Sequence, residues 1–176
     1  MYKFALALTV LTATSSAVAT TVLTEQNIAR LEAALPELVA IEQDNPQGLT
    51  KLRLKKHCDW QQHASDLRQQ EQGKGYVAEV DQVLAKHQLT APLFLELTAK
   101  GSWPLLQSLQ PVQQLTRQSL PFLPEPQRRI AEQKIQQTEQ MQQAIEPCLT
   151  AADKTALQHH KQRLLKLATS LPGAAF

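Results

Sequence analysis

The chain has 176 residues, including 24 glutamines, only 5 glycines and 5% aromatic residues, and carries a formal net charge of +2. That near-neutral balance offers no basic face for a nucleic acid or an anionic membrane surface. The wealth of Gln, Leu, Ala, Lys and Glu and the shortage of β-branched residues argue for an all-α fold and against a sheet.

The first residues, MYKFALALTVLTATSSAVAT, place Lys3 before an apolar run from Phe4 to about Val10, then small and hydroxylated residues. Ala17-Val18-Ala19 fits a signal-peptidase site, so residues 1–19 read as a secretory signal peptide cleaved before Thr20. The run is broken by Thr and Ser and falls short of the roughly 20 apolar residues a membrane span needs. Cleavage would remove Lys3 and no acid, lowering the formal charge from +2 to +1. The remainder, residues 20–176, is expected to form a single helical domain.

Thr24 is the expected N-cap of a first helix carrying Ile28, Leu31, Leu35, Leu38 and Val39, with a kink or restart at Pro36. Asp44-Asn45-Pro46 reads as a stop and a fresh start. A second helix is expected over residues 47–70, its stripe formed by Leu49, Leu52, Trp60, His63 and Leu67, and Gly73-Lys74-Gly75 ends it in a turn. The third, over residues 76–87, aligns Tyr76, Val80, Val83, Leu84 and His87. Thr90 caps a fourth carrying Leu93, Phe94 and Leu97.

Gly101 and Pro104 then interrupt the pattern, and a further helical piece is expected from Trp103 to Leu109. Pro111, Pro121, Pro124 and Pro126 chop the chain again, so SLPFLPEPQ reads as a rigid loop whose Phe122 and Leu123 plug into the core. A polar helix over residues 128–146 has a narrow stripe of Ile130, Lys134, Thr138, Met141 and Ile145. Thr150 and Asp153 resemble a capping box. It opens a last helix to about Ala168, with Leu157, His160, Leu164, Leu167 and Leu171 inward. The expected architecture is one bundle of six or seven helices.

The chain holds two cysteines, Cys58 and Cys148. In an exported protein they are expected to pair as a disulfide. If Cys58 sits mid-helix, at about 100° per residue it lies about 160° from Trp60, on a separate face of the second helix. The alternative is a metal site built from His57, Cys58, Cys148 and His159. Helical chelates want spacings of three or four, whereas His57 and His63 are six apart and His159 and His160 adjacent. On this reading His63 and His160 line the core edge, and His57, His87 and His159 face water.

No Gly-x-Ser-x-Gly elbow, phosphate-binding Gly-rich loop or His-Glu-x-x-His is present. The expectation is therefore a non-enzymatic protein without a cofactor that binds a protein or peptide in the cell envelope; the runner-up is a metal-binding or metal-sensing protein. Trp103, beside Leu105 and Leu106, is the candidate exposed anchor, because Trp concentrates at interaction hot spots. The competing reading of Trp103 is ordinary core filling.

Two stretches carry a family resemblance. LTEQNIARLEAALPELVAI, residues 23–41, and VDQVLAKHQLTAPLFLELTAK, residues 80–100, resemble a helix and a helix-turn-helix of small exported, periplasmic helical proteins of Gram-negative bacteria. The resemblance implies a periplasmic helical protein and carries no ligand, reaction or site residue. Leu-Thr recurs in the chain, but the Leu-Thr-x-x-Gln motif of helical periplasmic chaperones does not occur.

Overall fold

The computed structural model describes residues 20–44, 54–71 and 74–170. The expected leader, the Asn45-Pro46 restart, Leu49, Leu52, Gly73 and Leu171 lie outside the described residues. Every regular element among the described residues is helical: α1 (Glu25–Asp44), α2 (Trp60–Gln70), α3 (Tyr76–Lys86), α4 (Ala91–Gly101), α5 (Trp103–Ser119), α6 (Glu125–Ile145), α7 (Ala151–His159) and α8 (Lys161–Ser170). Short 3₁₀ turns, Leu120–Phe122 and Glu146–Cys148, follow α5 and α6. The last two helices are parted only at His160, so the final helix expected from the sequence is one run broken once, and counting it as one leaves seven.

Side-chain caps set four of the starts, those of α1, α2, α4 and α7. Thr24 Oγ1 accepts from the N–H of Asn27 (3.2 Å) and Thr90 Oγ1 from that of Leu93 (3.4 Å). Thr150 and Asp153 form the full capping box of α7, so two orphan donors are satisfied reciprocally. α3 ends differently: the N–H of Leu89 reaches the carbonyl of Leu84 (2.8 Å) and that of Gln88 the carbonyl of Ala85 (3.0 Å). This is a Schellman closure, and it forces Gln88 to a φ of 56°.

Several expectations are corrected. α1 runs unbroken through Pro36 and α5 through Pro111. Both prolines are exposed, so the carbonyl each leaves without its helical donor can bond to water. The second helix begins at Trp60, because Asp59 Oδ1 accepts from the N–H of Gln62 (2.9 Å) and caps it there. Cys58 therefore precedes the helix, and the angular argument placing it on a helical face does not apply. Ile130 and Lys134 are exposed, whereas Ile135, Thr138 and Ile145 form the buried seam of α6.

The core gathers Leu23, Ile28 and Leu31 with Leu84, Leu97, Leu106, Ile145, Leu157 and Leu164. α4 packs on α2, α1 and α3, while α1 packs on α3, and α5 on α6 and α8. At Gly101 an added Cβ would stand 3.3 Å from the Leu164 side chain, so the missing side chain admits the close approach of α8. No helix among the described residues is long and apolar enough to cross a membrane.

Candidate functional site

Cys58 and Cys148 form a disulfide, with Cα atoms 5.4 Å apart across 90 positions of sequence. It ties the segment entering α2 to the turn after α6. The surrounding KKHCDWQQH stretch is a helix entry and its lock. The N–H of Asp59 is held by His57 Nδ1 (3.3 Å), and His63 Nε2–H donates to the His57 carbonyl (3.0 Å). The two imidazoles stack at 4.1 Å between centroids. With both sulfurs bonded to each other, the metal set of His57, Cys58, Cys148 and His159 loses its thiolates. Among the described residues no three His, Cys, Asp or Glu side chains are grouped to hold a metal ion.

The histidine expectations divide. His63 is buried as expected, and His160 is nearly so, its Nδ1 3.6 Å from Glu25. His87 does not face water: its side chain is largely covered and Nε2 lies 2.8 Å from Glu37. His57 is half-buried under His63.

The expected anchor is partly covered. Leu106 is fully buried, and Trp103 and Leu105 are half-buried, with the indole packed against the core cluster. The exposed large hydrophobic residues lie further on: Val112, Leu115, Phe122 and Ile130. Phe122, expected as a core plug, is 87% exposed. The turn that carries it follows a stretch of α5 that has already left the core, and no residue from 107 to 134 is buried.

An apolar groove of about 410 Å³ lies among α1, α2, α3 and α4. Each helix contributes one face. α1 gives Leu35, Leu38, Val39 and Glu42; α2 and its C-cap give Ala64, Leu67, Arg68 and Glu71; α3 gives Val77, Val80, Asp81 and Leu84; α4 gives Ala91, Phe94, Leu95 and Thr98. Each set follows the i, i+3, i+4, i+7 spacing that puts side chains on one stripe. Leu35, Ala64, Leu84 and Leu95 are buried, while Leu38, Leu67, Val77, Val80 and Phe94 are half-buried. The former make a floor and the latter walls still reached by solvent.

Three of the lining's charges, Arg68, Glu71 and Asp81, are engaged with one another or their neighbours. Arg68 Nη2 donates to Asp81 Oδ1 at 2.8 Å, and Lys74 pairs with Glu71 at 2.7 Å while lying 5.9 Å above the Tyr76 ring. The groove can therefore desolvate apolar groups behind a charged entrance.

Behind this groove the helices are clamped by a buried ion pair. Lys100 Nζ donates to Asp153 Oδ2 (2.8 Å) and to Glu96 Oε1 (2.6 Å). Burial pushes the Asp153 carboxyl up, but hydrogen bonds from Lys100, Thr21 and Thr150 outweigh it and hold the group below its ordinary value. Burial pulls Lys100 down, and its two carboxylates more than restore it. On the surface between α1 and α8, Arg163 bridges Glu25 and Glu32, and its hydrogen bond lowers the Glu32 carboxyl.

The groove was missed in the sequence because its four quartets read as ordinary core stripes. Several of their members were on the expected stripes: Leu35, Leu38, Leu67, Val80, Leu84 and Phe94. The available signal was four successive helices with the same spacing, each with a polar or charged residue within or at the end of its quartet. No family model, curated protein or solved structure matches the chain.

Proposed function

We propose that the protein is an exported, non-enzymatic binding protein of the cell envelope, working in the periplasm, and that its groove receives apolar side chains of another polypeptide. The observation that carries this reading is the apolar space of about 410 Å³ among α1 to α4, a size within the range of ligand sites. Its walls are half-buried and open to solvent, which suits a helix presenting i, i+3, i+4 and i+7 anchors. The export reading is supported by the leader-like residues 1–19 and by the disulfide, a bond favoured in oxidising compartments.

The test is a calorimetric titration of the full mature chain with synthetic helical peptides that carry Leu or Phe at those four spacings. Scrambled peptides of the same composition serve as controls. Saturable binding with a negative heat-capacity change is expected. Thr98→Arg should weaken it at least about tenfold by filling the groove, while a cation in the last turn of α4 suits the helix dipole and spares the fold. Failure of every apolar peptide to bind, or equal binding by Thr98→Arg, contradicts the reading. Binding of a medium-chain fatty acid in place of the peptides would also contradict it and reassign the groove to a small molecule.

A further inference from the structure

The groove has a counterpart on the same molecule. At the far end of the hairpin formed by α5 and α6 stands Leu120-Pro121-Phe122-Leu123-Pro124, five residues without a charge, with Phe122 87% exposed. This turn lies within the unburied stretch of residues 107–134, whose 13 α5 residues alone, 107–119, account for about 20 Å of helix. A phenyl ring left in water at the end of such an arm is an unfilled hydrophobic contact. The rigid prolines on either side hold it in a fixed shape, which lowers the ordering cost of inserting it.

The charges around the two features are opposite. The unburied stretch has the cations Arg117, Arg128, Arg129 and Lys134 and the acids Glu125 and Glu132; Glu139 pairs with Arg117. With that partner included, the arm keeps one net positive charge. The groove lining holds Glu42, Glu71 and Asp81 against Arg68, and Lys74 pairs with Glu71. With Lys74 included, the lining keeps one net negative charge. Arg128 and Arg129 pair with Glu125 beside the tip, so the complementarity is one of opposite net charge, which favours the approach of tip to slot.

We infer that the groove's occupant is the Phe122 turn of a second copy of this chain, so that copies join head to tail. This rests on the groove being a polypeptide-binding site, as proposed above. A contact between two different surfaces does not close on itself in a dimer, so association continues into a ring or an open chain. An arm-to-arm contact through Val112, Leu115 and Ile130 would close as a symmetric dimer, and the two arrangements respond differently to substitution.

The experiment is sedimentation velocity on the full mature chain up to about 1 mM, where a contact of millimolar Kd is half-filled, with circular dichroism confirming that each variant is folded. Wild type is expected to form species larger than a dimer as concentration rises. Phe122→Asp and Thr98→Arg should each be monomeric, weakened about thirtyfold or more, as for a hot-spot loss. Mixed one to one, they should form a dimer and stop, because one supplies the only working tip and the other the only working groove.

A monomeric wild type at every concentration overturns the inference, as does association that Thr98→Arg leaves intact. The peptide titration above reads the groove independently. Binding of helical peptides by a wild-type chain that stays monomeric would sink this inference and leave the proposed function standing.

Discussion

Lys100 Nζ lies 2.8 Å from Asp153 Oδ2 with both side chains buried, which joins α4 to the start of α7 through a charged pair inside the protein. Asp153 also accepts from the Thr21 hydroxyl (2.6 Å) and from the N–H and hydroxyl of Thr150 (2.9 Å each). One carboxylate thus holds the residues ahead of α1, the cap of α7 and the side chain of α4. Removing it leaves Lys100 with Glu96 as its one carboxylate partner and strands the Thr21 and Thr150 donors. Asp153→Ala is expected to cost about 3–5 kcal/mol, the range for breaking a buried pair from one side. Urea denaturation measures it, and adding Lys100→Met should recover little, because it leaves the Glu96 carboxylate without its partner.

Acid should destabilise the protein in two stages. Burial holds His160 below its ordinary value, with His159 adding to the effect, so protonation disfavours the fold. Its contribution is complete above about pH 6.5 and is lost as pH falls through the lower folded value. Asp153 and Glu32 are also held low, by their hydrogen-bond partners. Their contribution is complete above about pH 4 and is lost below it. Urea midpoints against pH should show a shallow decline below neutrality, then a steep one. His160→Gln should erase the first stage alone, and a midpoint that stays flat down to pH 3 would contradict both assignments.

The disulfide closes a loop spanning 90 positions. On the chain-entropy account this is worth about 4–5 kcal/mol as an upper figure. Cys58 is exposed although Cys148 is buried, so reductant has a route to the bond. Thermal unfolding with reductant should fall by about 10 °C or more. The double variant Cys58→Ser, Cys148→Ser should melt at the reduced temperature and ignore reductant. An unchanged melting temperature would show that packing alone sets the stability.

Gln88 pays the conformational cost of closing α3, with its φ of 56°. Glycine adopts that region freely, whereas an L side chain there costs about 1 kcal/mol or more. Gln88→Gly should therefore stabilise the protein by somewhat less than that, since the Gln88 side chain accepts from Arg30 at 2.7 Å. A rise in the urea midpoint checks it, and a fall would mean the Arg30 contact outweighs the backbone strain.

Much of the fold is legible in the residues, because caps and stripes are local. Thr24, Thr90 and the Thr150–Asp153 box act where their positions predict, and the two cysteines pair. The errors have physical causes. A helical period was extended backward through Cys58, although Asp59 followed three residues later by Gln62 is itself a start signal. Pro36 and Pro111 were read as breaks, but a proline on a solvated face of a long helix costs less than one in a seam.

Phe122 and the groove are misread for a deeper reason. Periodicity tells which residues share a face, and says nothing about whether a facing helix arrives to cover it. The stripe through Val80 and Leu84 looks the same whether the seam closes or leaves a slot. An apolar turn at Phe122 looks the same whether its helices stay on the body or carry it away.

The groove among α1, α2, α3 and α4 is the centre of the functional account, and amide chemical-shift mapping of the isotope-labelled mature chain tests it most directly. On addition of the helical peptide, the largest shifts are expected at Leu38, Leu67, Val77, Val80, Phe94 and Thr98, which together represent all four helices that line the slot. The amides around Trp103 and Leu105 should stay still. Shifts centred on Trp103, or spread evenly with none at these groove residues, would contradict the assignment of the binding site.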